Sequence, residues 1–275
     1  MNKSFLRKIA VLSAVVLASS TLFFGCGGDR PSAEGESLPE LVVASDYYAP
    51  YIYRDEKGDF VGIDVELITE ICKHVGLKPV FRHIEWSGKN EVLSSGGADC
   101  LCGSFSLTGR EEEYSWTLPY MNSRQVVVVP QDSDIYRISD LKDKRVAVQA
   151  TTKPDEIFSG KKDERIVVPK LKELNCFPDI TYIVAALNGG FVDAIAGHEV
   201  VLREYMKSSS VKTRILEEPL LEVEIGIAFL KNTHHEIIQK MNSTIYILRN
   251  NGYLARLVSS YGLDPDAYLV NYEKA

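Results

Sequence analysis

Four side chains between positions 104 and 110, Ser104, Ser106, Thr108 and Arg110, have the types that hold a small anion. Each hydroxyl donates one hydrogen bond, and a guanidinium offers a planar fork that matches both oxygens of a carboxylate. In the order Ser104-Phe105-Ser106-Leu107-Thr108 the hydroxyls alternate with apolar residues, so an extended backbone sets all three on one side. The preceding residues 98–102, Ala-Asp-Cys-Leu-Cys, are short and nearly apolar and read as a strand buried on both faces of a parallel sheet. Ligands of open α/β sheets sit beyond the carboxyl ends of strands. A strand that runs into hydroxyls and an arginine therefore reads as a carboxylate-binding loop, with a solvated turn and a surface arginine as the alternative.

The rest of the chain supplies strands that end in similar loops. Residues 41–44 are a fully apolar strand that ends at Ser45-Asp46-Tyr47-Tyr48, the expected partner of the Arg110 loop. Residues 53–60 carry a hairpin turn at Asp55-Glu56-Lys57-Gly58. Asp64 is placed to cap a helix with a stripe of Val65, Ile68, Cys72 and Val75, joined by Leu67 and Ile71 and stopped at Gly76. A strand over 78–84, Trp86 and a short helix up to Gly96-Gly97 complete a β-α-β-α-β order, the pattern of a parallel sheet.

Residues 125–130 form a strand long enough to leave one lobe for another, and 145–149 is the first strand of the second lobe. It ends at Ala150-Thr151-Thr152, where Thr152-Lys153-Pro154-Asp155 has capping-box spacing with proline in the first turn. The amides of such a helix start favour an anion. A strand is expected over 166–168, a helix over 179–187 and a strand over 191–196 that ends at Gly197-His198-Glu199, followed by a helix to about position 206. Residues 223–230 return to the first lobe, and helices over 235–249 and 253–261 close the chain.

Length and charge bound the answer. The 275 residues suffice for two domains. A net charge of −7 without a long basic run argues against nucleic acid as a partner. Residues 1–25 read as an export signal, with Lys3, Arg7 and Lys8 ahead of an apolar run, 9–17, too short to span a membrane. Its removal takes three positive charges and no acid, leaving −10. Leu22-Phe23-Phe24-Gly25-Cys26 resembles the lipobox of bacterial lipoproteins, which would make Cys26 a lipidated N-terminus and 26–39, rich in Gly, Ser, Glu and Pro, a flexible tether. An ordinary signal peptide is the alternative. Of the other cysteines, Cys100 and Cys102 share one strand face, a geometry that disfavours their pairing, Cys72 lies in the helical stripe and Cys176 in a loop, so buried thiols are expected. No metal and no cofactor are assigned, since no His accompanies Cys100 and Cys102 at zinc-ligand spacing.

From about residue 41 to 261 the chain resembles the family-3 solute-binding proteins of ABC transporters, the polar amino-acid receptors. The resemblance rests on an ordered set of motifs: Val61-Gly62-Ile63-Asp64, Gly97-Ala98-Asp99, Ser104–Thr108 with Arg110 following, Pro119-Tyr120, Val146-Ala147-Val148-Gln149, Val192-Asp193-Ala194-Ile195 and Gly226-Ile227-Ala228-Phe229. It implies an α/β, two-lobed, type II periplasmic-binding-protein-like fold, each lobe a mostly parallel sheet flanked by helices, with two hinge strands. Lobe 1 would comprise 40–128 and 225–275, and lobe 2 the inserted 129–224.

The resemblance also implies site roles. Arg110 matches the carboxylate-binding arginine, Ser104 and Ser106 the residues that hold ammonium and carboxylate, and Ala150-Thr151-Thr152 the lobe-2 amides. Tyr48 and Trp86 match aromatic clamps and Asp46 the nearby acid, while Tyr47 and Phe105 are further aromatic candidates for a planar or cationic ligand. Two departures stand out: the loop before Arg110 is a residue or two short, and His198 occupies the place of the aspartate that pairs with the ligand ammonium. Glu199 then becomes the candidate for that role, or the ligand is not a standard α-amino acid. The function implied is a monomeric, lipid-anchored receptor on the outer face of the cytoplasmic membrane that delivers a small polar solute to an ABC permease. A dehydratase for prephenate-like acids on the same fold, with His198, Glu199 or Glu173 as acid or base, and an extracellular sensor subunit are the rival readings.

Overall fold

The computed structural model describes residues 38–160 and 167–271. The expected signal at 1–25, the lipidation site Cys26 and the tether up to position 37 lie outside the described residues. The chain runs through β1 (Glu40–Ser45), β2 (Tyr53–Arg54), β3 (Phe60–Val61), α1 (Ile63–Val75), β4 (Lys78–His83), α2 (Lys89–Ser94), β5 (Cys100–Leu101), β6 (Tyr114–Trp116) and β7 (Met121–Pro130). It continues through β8 (Arg145–Gln149), α3 (Lys153–Phe158), β9 (Glu173–Phe177), α4 (Ile180–Asn188), β10 (Ala194–His198) and α5 (Glu199–Met206). The last elements are β11 (Thr213–Ile215), β12 (Leu221–Ile225), β13 (Ala228–Leu230), α6 (His235–Asn250), α7 (Tyr253–Ser260) and α8 (Pro265–Tyr268).

Two sheets result. The first has the order β4-β1-β5-β13-β6, with β1 parallel to β4 and β5, and β13 antiparallel to β5 and β6. The second has the order β11-β7-β10-β8-β9, with β12 also beside β7. In it β8 is parallel to β9 and β10, while β7 runs antiparallel to its neighbours. The parallel strands β1, β5, β8 and β10 therefore end at Ser45, Leu101, Gln149 and His198, and the loops that follow them converge on one region.

Helix α1 buries the expected stripe, Val65, Leu67, Ile68, Ile71 and Cys72, and stops at Gly76 in the left-handed conformation, φ 74°. Its start differs from the sequence reading. Gly62 is the N-cap, at φ 126°, where a Cβ would overlap the Tyr51 carbonyl, and Asp64 lies within the first turn.

Other expectations shift. The strand expected over 98–102 is confined to Cys100–Leu101 and is parallel on one side only, because β13 returns antiparallel on the other. The extended backbone does not persist to Thr108: Ser104 sits at φ 57°, so the three hydroxyls do not share one side. Of the strand expected over 166–168, the described residues Val167 and Val168 are not in a strand, and Val167 is 86 % exposed; β9 forms further on. That strand carries Cys176, which is exposed with Sγ 3.3 Å from Asp155 Oδ1, whereas Cys72, Cys100 and Cys102 are buried thiols. β10 starts only at Ala194, with Phe191 exposed after the turn at Gly190. The run 223–230 breaks at Gly226-Ile227 into β12, paired in the second sheet, and β13, paired in the first.

Candidate functional site

The loop after β5 is held from below by Asp64. Its Oδ2 accepts the amides of Gly103 at 2.7 Å and Ser104 at 3.2 Å, and its Oδ1 accepts the Tyr120 hydroxyl at 2.7 Å. Burial pushes this carboxyl up to about 6, with Tyr120 and the two amides pulling the other way. Gly103, at φ 91°, has no room for a Cβ against the Ser45 side chain. A buried acid, a glycine and a tyrosine thus fix the left-handed turn at Ser104 from which the candidate binding loop departs.

Where the strand ends meet, a cavity of about 20 Å³ is lined by Asp46, Tyr48, Trp86, Gly103, Ser104, Phe105, Ser106 and Arg110, and from the second sheet and α3 by Gln149, Thr152, Lys153 and His198. That is on the order of the room for one water-sized sphere, so the cleft is closed down. Trp86 meets Phe105 edge-on at 4.9 Å, and the Arg110 guanidinium lies 5.1 Å from the Phe105 ring centre.

Arg110 is 3 % exposed. Its Nη1 donates to the Ser106 carbonyl at 3.2 Å, while Nε and Nη2 donate to Glu156 Oε1 at 3.0 and 2.7 Å. The other oxygen of Glu156 accepts Lys153 Nζ at 2.8 Å. Burial alone would raise the Glu156 carboxyl, but Arg110 and Lys153 outweigh it and hold it below the usual range. A guanidinium from one sheet's loop therefore grips a carboxylate on the other lobe's helix.

His198 is saturated and neutral. Gln125 Nε2 donates to its Nε2 at 2.8 Å, which leaves the Nδ1 hydrogen for Ser123 Oγ at 2.8 Å, with Ser106 Oγ 3.2 Å from Nε2. Burial, aided by Arg110, lowers its pKa to about 3. Asp46 is also buried, with Oδ2 accepting Gln149 Nε2 at 2.6 Å, and burial raises it to about 6. Gln149 Oε1, equally buried, has no hydrogen-bond partner among the described residues.

At the lobe-2 turn, Thr151 has φ 60°, and its amide is taken by Asp155 Oδ2 at 2.8 Å. Thr152 Oγ1 donates to the Gln149 carbonyl at 2.6 Å, so the capping box does not form and the expected anion-binding amide of Thr151 is already satisfied. The Thr151 carbonyl and hydroxyl instead accept Lys89 Nζ, at 3.2 and 2.8 Å, from across the cleft.

The structure thus brings Asp46, Tyr48, Trp86, Ser104, Phe105, Ser106, Arg110, Thr152 and His198 to one cavity. It does not bring Glu199. That carboxylate, one residue past the end of β10, points the other way, accepts Arg124 and Arg203 at 2.7 Å each, and lines a separate cavity of about 710 Å³. Tyr47 stacks on His83 outside the cleft, at 37 % exposure. Lys89, Gln149, Lys153 and Glu156 escaped the sequence reading. Only the Lys153 and Glu156 spacing of three, on one face of a short helix, carried a local signal.

The comparisons with known proteins agree with this architecture. The chain is 27 % identical over 275 residues to the histidine-binding periplasmic protein of Escherichia coli (strain K12), covering 96 % of this chain and 99 % of that one. It is 25 % identical over 272 residues to the L-cystine-binding protein TcyA of Bacillus subtilis (strain 168), covering 94 % and 96 %. Among solved structures, the arginine-, lysine-, histidine-binding protein ArtJ from Geobacillus stearothermophilus superposes with a TM-score of 0.72 at 26 % identity, over 82 % of this chain and 96 % of that one. The fold is the two-lobed, type II periplasmic-binding-protein arrangement. With residues 41–264 matched by the family described as bacterial extracellular solute-binding proteins, family 3, the chain belongs to that family.

Proposed function

We propose that this solute-binding protein is the lipid-anchored receptor of an ABC importer, and that it captures an amino acid or related small carboxylate between its lobes and delivers it to a membrane permease. The observation that carries the reading is the buried Arg110, whose guanidinium reaches a carboxylate presented by the opposite lobe. A ligand carboxylate there touches both lobes at once. Contacts made only in the closed form shift the population toward it, and the permease reads that closure. The moving bodies in this reading are 40–128 with 225–275 on one side and 129–224 on the other. Cys26 anchors the monomer to the outer face of the cytoplasmic membrane, with 26–39 as tether. Histidine, cystine and arginine in the names of the relatives support amino acids as the ligand class.

Binding is favoured over catalysis by the state of the acid and base candidates. His198 is neutral with both ring nitrogens engaged, Glu199 is ion-paired outside the cleft, and Glu173 is exposed on β9.

A thermal-shift screen of amino acids and related carboxylates, followed by calorimetry, tests the proposal, since a ligand that binds only the native state raises the melting temperature. Arg110→Ala is expected to weaken the best ligand by roughly 100-fold, the scale of a lost charge-assisted pair. Full affinity in that variant, or turnover of a prephenate-like acid, would overturn it.

A further inference from the structure

Gln149 carries an acceptor that the rest of the cleft leaves unused. Its Nε2 donates to Asp46 Oδ2 at 2.6 Å and to the Pro178 carbonyl at 3.2 Å. Both partners are acceptors, so the amide cannot be reversed and its two N–H hydrogens are spent. Oε1 is thereby pinned as an acceptor. It belongs to a residue 2 % exposed and has no hydrogen-bond partner among the described residues. Beside it, Asp46 Oδ1 faces the Ser45 hydroxyl at a long 3.5 Å. Asp46 and Gln149 both line the cavity. A buried acceptor left unmet is costly, so these two oxygens, one on a carboxylate, make a notch for a group with several N–H hydrogens, an ammonium or a guanidinium. Neither neighbouring lysine fills it, because Lys153 is held by Glu156 and Lys89 by Thr151.

On the binding reading, Arg110 fixes the carboxylate end of a ligand. Its side-chain hydrogen bonds go to Ser106 and Glu156, and it shares none with Asp46 or Gln149. Position 198 adjoins it instead: Ser106 Oγ lies 3.2 Å from His198 Nε2, and Arg110 helps to depress the imidazole. An ammonium next to the carboxylate would fall there, where His198 is neutral with both ring nitrogens engaged. Other acids do not replace it. Among the described residues lining the cavity Asp46 alone is acidic, while Glu156 is bonded to Arg110 and Lys153, Glu113 acts on Lys89 and Lys153, and Asp179 acts on Asp46 itself.

We propose that Gln149 sets specificity: its Oε1, together with Asp46, receives an ammonium or guanidinium that lies remote from the ligand's carboxylate, and an α-ammonium is not required. The inference rests on the binding reading above and specifies its ligand class, an ω-amino or ω-guanidino acid with or without an α-amino group. The carboxylate goes to Arg110, the remote cation to the notch between the lobes, and position 198 contributes shape and no charge.

Calorimetry on the full chain tests this with L-lysine, L-ornithine and L-arginine and with analogues that each lack one nitrogen group. Those without the α-amino group are ε-aminocaproate, δ-aminovalerate and δ-guanidinovalerate; those without the remote group are L-norleucine and L-norvaline. In the series that binds best, loss of the α-amino group is expected to change affinity by at most a few-fold. Loss of the remote group should weaken it by about tenfold or more, because a buried acceptor is then left unpaired. Gln149→Met should close that second gap, whereas a purely structural effect would weaken both members alike and leave it open. Gln149→Asn, which draws the oxygen back, is the second variant, and thermal melts check that each folds. If loss of the α-amino group costs about tenfold or more, or if both variants keep the gap, the inference is wrong while the receptor reading stands. The same holds if none of these solutes binds but the thermal-shift screen finds another. If that screen finds nothing, both fall.

Discussion

Arg110 and Glu156, 46 positions apart in the chain, form an ion pair across the cleft, Nη2 to Oε1 at 2.7 Å. The protein thus presents an internal carboxylate to the guanidinium that we propose holds the carboxylate of its ligand. Replacing Glu156 with glutamine should strengthen binding of an acidic ligand by about tenfold, because a competitor and a like charge are both removed. The same change breaks a partly buried ion pair, with Glu156 at 19 % exposure, so stability should fall by roughly 1–3 kcal/mol. Calorimetry and urea denaturation read the two effects separately; weaker binding in that variant would contradict the competition.

Asp64 is the anchor of the candidate binding loop after β5. Asp64→Ala strips the acceptor from two amides and one hydroxyl, all buried, and each such loss costs about 1–3 kcal/mol. A loss of at least about 3 kcal/mol in urea denaturation is expected, with weaker ligand binding because Ser104 is no longer held at its left-handed turn.

Stability should respond to pH in two opposing ways. His198 has a native pKa near 3 against 6.5 in the unfolded chain, so its contribution is full above pH 6.5 and is lost as pH falls toward 3. Asp46 is raised from 3.8 to about 6, so its cost is full above pH 6 and is relieved as pH falls toward 3.8. Asp46→Asn should therefore be more stable than the parent at pH 7, by on the order of 3 kcal/mol before any change in its bond to Gln149, with the advantage gone by pH 4. Urea midpoints measured between pH 4 and 7 check both the size and the sign.

A negative charge at position 198 should redirect specificity. His198→Asp puts a carboxylate in place of a neutral imidazole and gives a ligand ammonium a partner, so L-glutamine and L-histidine should gain affinity relative to L-glutamate by about tenfold or more, as read by calorimetry. An unchanged ranking would place the ammonium elsewhere. The new acid is expected to lower the melting temperature of the protein without ligand, because Ser123 and Gln125 now satisfy an imidazole.

Much of the cleft was legible in the chain. Asp46, Tyr48, Ser104, Phe105, Ser106 and Arg110 follow apolar strands directly, and strand ends can be read from local hydrophobic runs. The same local rules failed wherever a single residue decides direction. Glu199 follows His198 by one position, yet the turn from β10 into α5 sends its carboxylate to Arg124 and Arg203, away from the cleft. Asp64 has the type and place of a helix cap, but its acceptors are claimed by a loop 39 residues away.

By itself the sequence determined the alternation of strands and helices and the identity of Arg110 as the anion-binding candidate, because periodicity and side-chain chemistry are properties of neighbours along the chain. Only the tertiary structure decided which charges face one another. Glu156 on Arg110, Lys89 on Thr151 and Gln149 on Asp46 each join segments at least 46 residues apart, and no spacing along the chain records which opposing loops the two sheets bring together.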